Sequence, residues 1–384
     1  RRRPLEALGS SLAPAAKAEA FTTSRSSVSL GGMAARHAFI VGGTGQIGRA
    51  AAAELLGRGW RVTIAARGSR AVSEDLLRQG AAFVTFDRED PDALAKAIGA
   101  GADAVVDTVA YDAHHARQLL AIEDDVGAFV VVSSAAVYRD DQGRTLDEAR
   151  DTGFPELPMP IVESQPTVAP GPATYSTRKI ALERTLLEQA RRPVTILRPC
   201  AIHGAHSRHP REWWFVKRIL DRRPFIPLAH DGESRFHTSA VANIAALAAT
   251  TLEQSGTRIL NIADPEALSV AEIGALIAAH MDYQGPMTGL GPETPGHVGR
   301  SPWSVPRPFI LDTAAALALG YTPRTSYRQA IGPLCDWLSR HDTEAWEAAF
   351  PVLANYGWPL FDYASEDRLK LRDCSDDQAA VPLD

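Results

Sequence analysis

The chain has 384 residues, of which 45% are hydrophobic and 22% charged, and a net charge of −6. This is globular composition at a length that allows two domains, or one domain with an added lobe, and the acidic balance argues against general nucleic-acid binding. Three cysteines (Cys200, Cys335, Cys374) are too few for a disulfide framework, and no apolar run reaches the ~18 residues needed to cross a bilayer, so a cytoplasmic protein is expected.

Residues 1–36 are rich in Ala, Ser and Arg, with Glu6 and Glu19 as their acids. An organelle transit peptide has such a composition, and so does a disordered leader ahead of Met33. The lack of an amphipathic pattern favours the leader. From His37 the pattern changes. A strand over His37–Val41 is followed by a glycine turn and a helix over 46–58. Further strands are expected at Arg61–Ala65, Ala82–Phe86, Ala104–Thr108, Ala128–Ser133 and Pro193–Leu197, with helical stretches at 71–79, 91–99, 113–122 and 174–190. The strands are continuous apolar runs, as in parallel strands covered on both faces. Their β-α-β order predicts an α/β fold with a Rossmann-type, doubly wound parallel sheet over 37–199.

Between Tyr138 and Tyr175 lies a polar stretch with six prolines, read as a long loop over one end of the sheet. Past Pro199 the alternation fades. A helix at 211–221, a strand at Ile259–Ile262 and a helix at 269–281 predict a smaller C-terminal substrate-binding lobe over 200–340, with elements returning to the sheet. Residues 341–384 carry ten acids against three bases and read as an acidic, peripheral appendage with a mobile end.

Gly42-Gly43-Thr44-Gly45-Gln46-Ile47-Gly48 joins the first strand to the first helix. Glycines at such positions allow a tight turn, close approach of the backbone to a pyrophosphate, and close packing of helix on strand, while the helix start offers free N–H groups to an anion. The second strand ends in Ala66, Arg67 and Arg70 rather than the Asp or Glu of an NAD site. A guanidinium suits a 2′-phosphate, so NADP is expected ahead of NAD. Asp87 is either an acceptor for the adenine amino group or a turn residue. Ala110 and Pro199, which follow the fourth and sixth strands, complete the expected cofactor contacts together with Lys179.

Tyr175-Ser176-Thr177-Arg178-Lys179 places a phenol and an ammonium on one helix face. An ammonium beside a phenol is expected to lower its pKa from about 10 and so permit proton exchange near neutrality. Ser133 and Ser134 close the fifth strand, where the carboxyl ends of parallel strands line a ligand crevice. Ser134 is therefore expected to hold a substrate oxygen facing Tyr175.

The set Gly42-x-x-Gly45-x-x-Gly48, Ser134-Ala-Ala-Val137-Tyr138 and Tyr175-x-x-x-Lys179 resembles the extended short-chain dehydrogenase/reductase family, the branch of nucleotide-sugar epimerases, dehydratases and reductases. Glu163, Leu197-Arg198-Pro199, Arg235-Phe236-His237 and Leu319-Gly320-Tyr321-Thr322-Pro323 match it more loosely, so the likeness covers about residues 37–340. The resemblance implies Tyr175 as general acid/base, Lys179 as its electrostatic partner and ribose ligand, and Ser134 as the group polarising the reacting C–O bond. It also implies Arg235 and His203 as substrate contacts, and a homodimer through two helices per subunit. Ala135-Ala136 stand where sugar dehydratases of this family carry an acid pair, so dehydration is not expected. The fourth helix lacks the Asn that extends a proton relay in many members; His114 and His115 lie there instead. A cofactor-binding sensor without turnover is the alternative function, and it would not need a tuned phenol. Cys200, His203, His206 and His209 sit three residues apart, but spacing alone does not make a zinc site, and no metal is expected.

Overall fold

The apolar runs of the first half become strands of one sheet. A computed structural model describes residues 35–291 and 296–369. Its strands are β1 (His37–Val41), β2 (Arg61–Ala66), β3 (Ala82–Thr85), β4 (Ala102–Asp107), β5 (Val126–Val132) and β6 (Val194–Pro199). They continue as β7 (Ala201–His203), β8 (Ile226–Ala229), β9 (Thr238–Ala240), β10 (Arg258–Ile262) and β11 (Met287–Leu290). Seven of them form a sheet in the order β10-β6-β5-β4-β1-β2-β3, all parallel. Two small parallel pairs, β7–β9 and β8–β11, belong to the second half.

The helices of the first half are α1 (Gln46–Gly57), α2 (Glu74–Arg78), α3 (Ala93–Ile98), α4 (Ala113–Leu120), α5 (Ala149–Thr152) and α6 (Tyr175–Gln189). Those of the second half are α7 (Trp213–Leu220), α8 (Val241–Glu253), α9 (Val270–His280), α10 (Ala314–Ala318), α11 (Tyr327–Leu338), α12 (Trp346–Ala349) and α13 (Pro351–Ala354). None of the described helices is long and apolar enough to cross a membrane.

Alternation of side chains along a strand covers both faces. In β1, Ala38 and Ile40 pack with Ala51, Ala52 and Leu55 of α1 and with Ile244 and Leu247 of α8. Phe39 and Val41 pack on the other face with Leu119 of α4 and Leu182 of α6. The sequence reading placed no element over 241–253. Helix α8 is buried at every residue from Asn243 to Leu252, and a helix buried all round lacks the amphipathic stripe that marks a surface helix.

The lobe has its own core, in which Trp213, Trp214 and Phe215 of α7 meet Ile273 and Ile277 of α9 and Leu334 and Leu338 of α11. The basic, aromatic segment 211–223 thus centres on a core helix, with Lys217, Arg218 and Arg223 paired to Asp221, Glu366 and Asp367. Residues 341–369 correct the expectation of a peripheral appendage, because Trp346, Phe350, Leu353 and Leu360 enter this same core. Glu366 bonds the buried Arg218 guanidinium at 2.5 Å, and that guanidinium lies 3.7 Å over the Trp214 ring. Apolar anchors spaced among acids conceal such packing from a charge count. The expected leader (1–36, apart from residues 35 and 36) and residues 370–384 lie outside the described residues.

Replacing Glu366 with Ala leaves Arg218 buried without its counter-charge. The expected cost is about 3–5 kcal/mol, read as a lower urea midpoint; a loss under ~1 kcal/mol would show that the segment is not docked as described.

Candidate active site and dinucleotide crevice

In the sheet, β1 lies between β2 and β4, at the point where the strand order reverses and ligands enter doubly wound folds. The glycine turn sits there. Gly42 has φ +81°, its N–H reaches Ala65 O at 2.9 Å, and a Cβ on it would stand 2.6 Å from Thr108 Oγ1 and Val109 Cγ1. A Cβ on Gly48 would be driven into the Gly42 carbonyl and the Gly43 Cα, so helix and strand touch through bare backbone. Gly45 caps α1 with extended backbone, and neither a capping side chain nor an acidic residue occupies the first turn. The N–H groups of Gln46, Ile47 and Gly48 therefore point out of the helix start, as a phosphate requires. Gln46 Oε1 is buried with no hydrogen-bond partner among the described residues. Arg49 braces the turn by donating to Thr44 O at 3.0 Å and Ala71 O at 2.7 Å. These residues fit a dinucleotide.

At the end of β2, Arg67 and Arg70 are exposed. Burial lowers the Arg70 pKa, and the charges of Arg208, Arg49 and Arg67 lower it further. Positive charge thus collects at this corner, and Arg49 and Arg208 are additions that the motif did not point to. Asp87 follows β3, where its Oδ1 accepts from Glu89 N at 3.1 Å, so a turn role is built into it.

Tyr175 and Lys179 open α6, whose start is fixed by a Thr174–Thr177 capping box. Lys179 is buried, and its Nζ donates to Ala110 O at 2.7 Å and Val132 O at 3.0 Å, the carbonyls that follow β4 and end β5. An ammonium has three donors, so one remains. Nζ lies 5.8 Å from the Tyr175 ring centre, which puts the two side chains on one face as the spacing predicts. Burial pushes the Lys179 pKa down to about 8, against the pull of Asp107 and Glu183.

Ser134 follows β5 and accepts from Ala136 N at 3.1 Å. Its hydroxyl is near enough to the Tyr175 phenol to lower the phenol pKa. The net shift of Tyr175 is nevertheless upward, to about 12: burial dominates, and Tyr111 and Asp147 add to it. Surface area leaves 39% of the Tyr175 residue exposed. That figure averages over the whole ring, whereas the shift reports the surroundings of the hydroxyl. The expected acidification of Tyr175 by Lys179 is therefore corrected: the protein's own groups hold this phenol neutral.

Several residues that the motifs missed build the site. Ser176 donates from its hydroxyl to Ala136 O at 2.8 Å and from its N–H to Asp147 Oδ2 at 2.7 Å, which ties the start of α6 to the Ser134 turn. Tyr111 packs against Tyr175 with ring centres 5.7 Å apart and planes tilted by 52°. His115 accepts from Tyr111 N at 2.9 Å and meets Glu89 at 3.1 Å, so it supports Tyr111 rather than a relay to the phenol. Under Ser134, Ser133 donates to Glu183, which pairs with the buried Arg198 at 2.5 Å. Tyr138 donates to Asn261 at 2.6 Å, and Glu163 accepts from Asn261 N at 2.8 Å.

The two expected substrate contacts differ from each other in their surroundings. His203 is buried, and its Nε2 lies 2.6 Å from Asp264 Oδ2. Burial alone would raise the Asp264 pKa, but His203, Thr238 and Ala240 N hold it at about 2. This ion pair supports the β7–β9 edge from below instead of presenting His203 to substrate. Arg235 is partly exposed and spends one nitrogen on Ala267 O at 2.6 Å and Glu272 at 3.0 Å. Arg211, which no motif singled out, lies 6.0 Å from the Phe236 ring centre, and its charge opposes the burial that pushes the Cys200 thiol up to about 12. Of the evenly spaced histidines, His206 packs at a tilt against Trp337 and His209 against Tyr356. Among the described residues no group of three or more potential ligands could hold a metal. A cavity of about 580 Å³ under the proline-rich loop is lined by Asp141, Glu156, Met159 and Arg307 among others, and shares no residue with the Ser134–Tyr175–Lys179 set.

A doubly wound sheet with this glycine turn at its switch point and a Ser–Tyr–Lys set at its carboxyl edge defines a nicotinamide-dinucleotide-dependent Rossmann enzyme class. The model of the NAD dependent epimerase/dehydratase family matches residues 38–263, more than half of the chain, and the protein belongs to that family. No curated protein sequence matches the chain closely enough to count as a relative. Among solved structures, a putative epimerase from Burkholderia cenocepacia J2315 is 24% identical, with a TM-score of 0.60 over 81% of this chain and 100% of that one. A UDP-glucose-4-epimerase from Stenotrophomonas maltophila with bound NAD and formylated UDP-arabinopyranose is 19% identical, with a TM-score of 0.63 over 79% of this chain and 98% of that one. A UDP-N-acetylglucosamine 4-epimerase from Methanobrevibacter ruminantium M1, in complex with UDP-N-acetylmuramic acid, is 18% identical, with a TM-score of 0.61 over 80% and 100% of the two chains.

Two measurements test the site. Gly48→Ala forces a Cβ against fixed backbone and should weaken dinucleotide binding at least tenfold in a fluorescence titration; unchanged affinity would mean that the turn does not hold the pyrophosphate. In protein without added cofactor, the absorbance difference between wild type and Tyr175→Phe should show a phenol ionising near pH 12, and a transition below pH 10 would contradict the upward shift.

Proposed function

We propose that the protein is an NADP(H)-dependent enzyme that transfers hydride at a carbonyl or secondary alcohol, with a nucleotide sugar as its substrate class. The convergence of Ser134, Tyr175 and Lys179 beside the Gly42–Gly48 crevice carries this reading. The likeness to the UDP-glucose-4-epimerase and the UDP-N-acetylglucosamine 4-epimerase supports the substrate class. Gly42, Thr44, Gly45, Gln46, Ile47 and Gly48 would hold the pyrophosphate, Asp87 the adenine, Ala110 and Pro199 the nicotinamide side, and Lys179 the ribose through its remaining donor.

When bound, the dinucleotide supplies the hydride chemistry and, in its oxidised form, a positive charge beside the phenol. The chain supplies the rest. Ser134 holds the substrate oxygen. Tyr175, neutral on its own, is set to donate a proton to that oxygen or to receive one from it. Lys179 brings a cation whose burial lowers its pKa to about 8, so that it stays mostly protonated at neutral pH. Epimerisation and net reduction share this half-reaction, and Ala135-Ala136 supply no acid pair for dehydration. Arg235 or Arg211 would meet the substrate's phosphates. The NADP preference is supported by the collected charges of Arg67, Arg70, Arg49 and Arg208 and by the absence of an acid at the end of β2.

Tyr175→Phe should reduce turnover by about 10²–10⁴-fold over a panel of UDP-sugars and simple ketones while leaving NADPH affinity intact. Binding without any Tyr175-dependent turnover would make the protein a cofactor sensor instead. Arg67→Asp should weaken NADPH far more than NADH; equal losses would refute the 2′-phosphate assignment.

A further inference from the structure

One buried ion pair near the site has no place in the reaction as proposed. Asp107 ends β4 and is fully buried, as is most of Arg88, which follows β3. Arg88 donates to both Asp107 oxygens, at 3.2 and 2.9 Å. Arg88 is itself clamped by Gln118 of α4, which accepts from its guanidinium at 3.2 and 3.1 Å and donates to its carbonyl at 2.6 Å. Asp107 Oδ1 also accepts from Val109 N at 2.9 Å and Ala110 N at 2.7 Å. Ala110 is the residue whose carbonyl receives Lys179. One carboxylate therefore shapes the turn that holds the ammonium and sits within its electrostatic reach.

We propose that Asp107 and Arg88 are positioning residues for Lys179: Asp107 fixes the Ala110 carbonyl and supplies negative charge to the ammonium, and Arg88 sets how much of that charge Lys179 feels. This rests on the reading of Lys179 as part of the active site. The pair has a geometric and an electrostatic effect. Two backbone N–H bonds hold the 109–110 turn against the end of β4, so the ammonium finds its acceptor without rearrangement. Three charged groups act on Lys179 from outside its own helix turn or from the turn below it: Asp107 and Glu183 raise its pKa, and Arg88 lowers it. The Tyr175 ring is the remaining titratable neighbour, at 5.8 Å from Nζ. Glu183 is already engaged by Ser133 and Arg198. Asp107 is thus the adjustable source of negative charge, and Arg88 its counterweight.

The two members predict opposite shifts. Asp107→Asn removes the negative charge and leaves Arg88 uncompensated, so Lys179 should lose its proton at lower pH. Arg88→Gln frees the Asp107 charge, so Lys179 should keep its proton to higher pH. Arg88→Lys, which retains the cation, should stay close to wild type. The readout is the rate of Lys179 acetylation by trace acetic anhydride as a function of pH, followed by mass spectrometry of the peptide containing it, since only the neutral amine reacts. From a pKa of about 8, a downward shift of one unit raises the reactive fraction at pH 7 by about fivefold, and an upward shift of one unit lowers it by about ninefold. A merely structural role would loosen the site in both variants and move both curves the same way, toward an ordinary lysine. Shifts of the same sign, or no shift in either, overturn the proposal. If Asp107→Asn does not fold, the contrast between Arg88→Gln and Arg88→Lys decides alone. The measurement needs no substrate, so it stands apart from the functional reading: loss of Tyr175-dependent turnover with opposite shifts intact would sink that reading and leave the pair's effect on Lys179 in place.

Discussion

A lysine ammonium buried among strand ends is the constraint on which the rest of the site depends. Removing such a charge from water is costly unless it is hydrogen-bonded. A parallel sheet leaves carbonyls at its carboxyl edge that the ladder no longer uses, and Lys179 takes two of them, on Ala110 and Val132. With those bonds made, α6 has no freedom to rotate on the sheet. Tyr175, one turn earlier, is carried to the end of β5, where Ser134 stands. The Ser176 bonds to Ala136 and Asp147 then fix the last degree of freedom, the distance between the helix start and the serine turn.

The same edge gathers other buried charges: Asp107 with Arg88, Glu183 with Arg198, and Asp264 with His203. Such pairs rarely stabilise a protein more than apolar residues of equal volume would. Each one, however, ties a strand end to a different neighbour. Arg88 joins the β3 end to α4 through Gln118, Glu183 joins α6 to β6, and Asp264 joins the segment after β10 to β7, β9 and α8. They act as directional fasteners at the rim of an otherwise non-directional core, where the positions of a few atoms matter more than the sum of buried area.

The second half solves a different problem. Its strands are short and its sheets have two strands each, too little to stand alone. Aromatic residues supply the missing surface: Trp213, Trp214, Phe215, Trp303, Tyr327, Trp346 and Phe350 share one core. The acidic segment after residue 340 contributes to that core from outside, and its Glu366 neutralises an arginine that α7 would otherwise bury unpaired.

Features that depend on neighbours along the chain could be read from the residues alone. A strand covered on both faces must be apolar throughout, so the first six strands were legible in order. A glycine turn and a Tyr-x-x-x-Lys pair act within one or two turns of backbone, so their residues were legible by number. The deeply buried α8 and the docked C-terminal segment were not, because neither carries a periodic stripe or a composition that reports packing. Nor were the burial of His203, the roles of Asp147 and Ser176, or the upward shift of Tyr175. These follow from how distant segments pack together. Burial and proton affinity are sums over groups near in space: burial first, then Tyr111 and Asp147, push the Tyr175 phenol up against the opposing hydrogen bond of Ser134, and the fold alone brings these groups beside it.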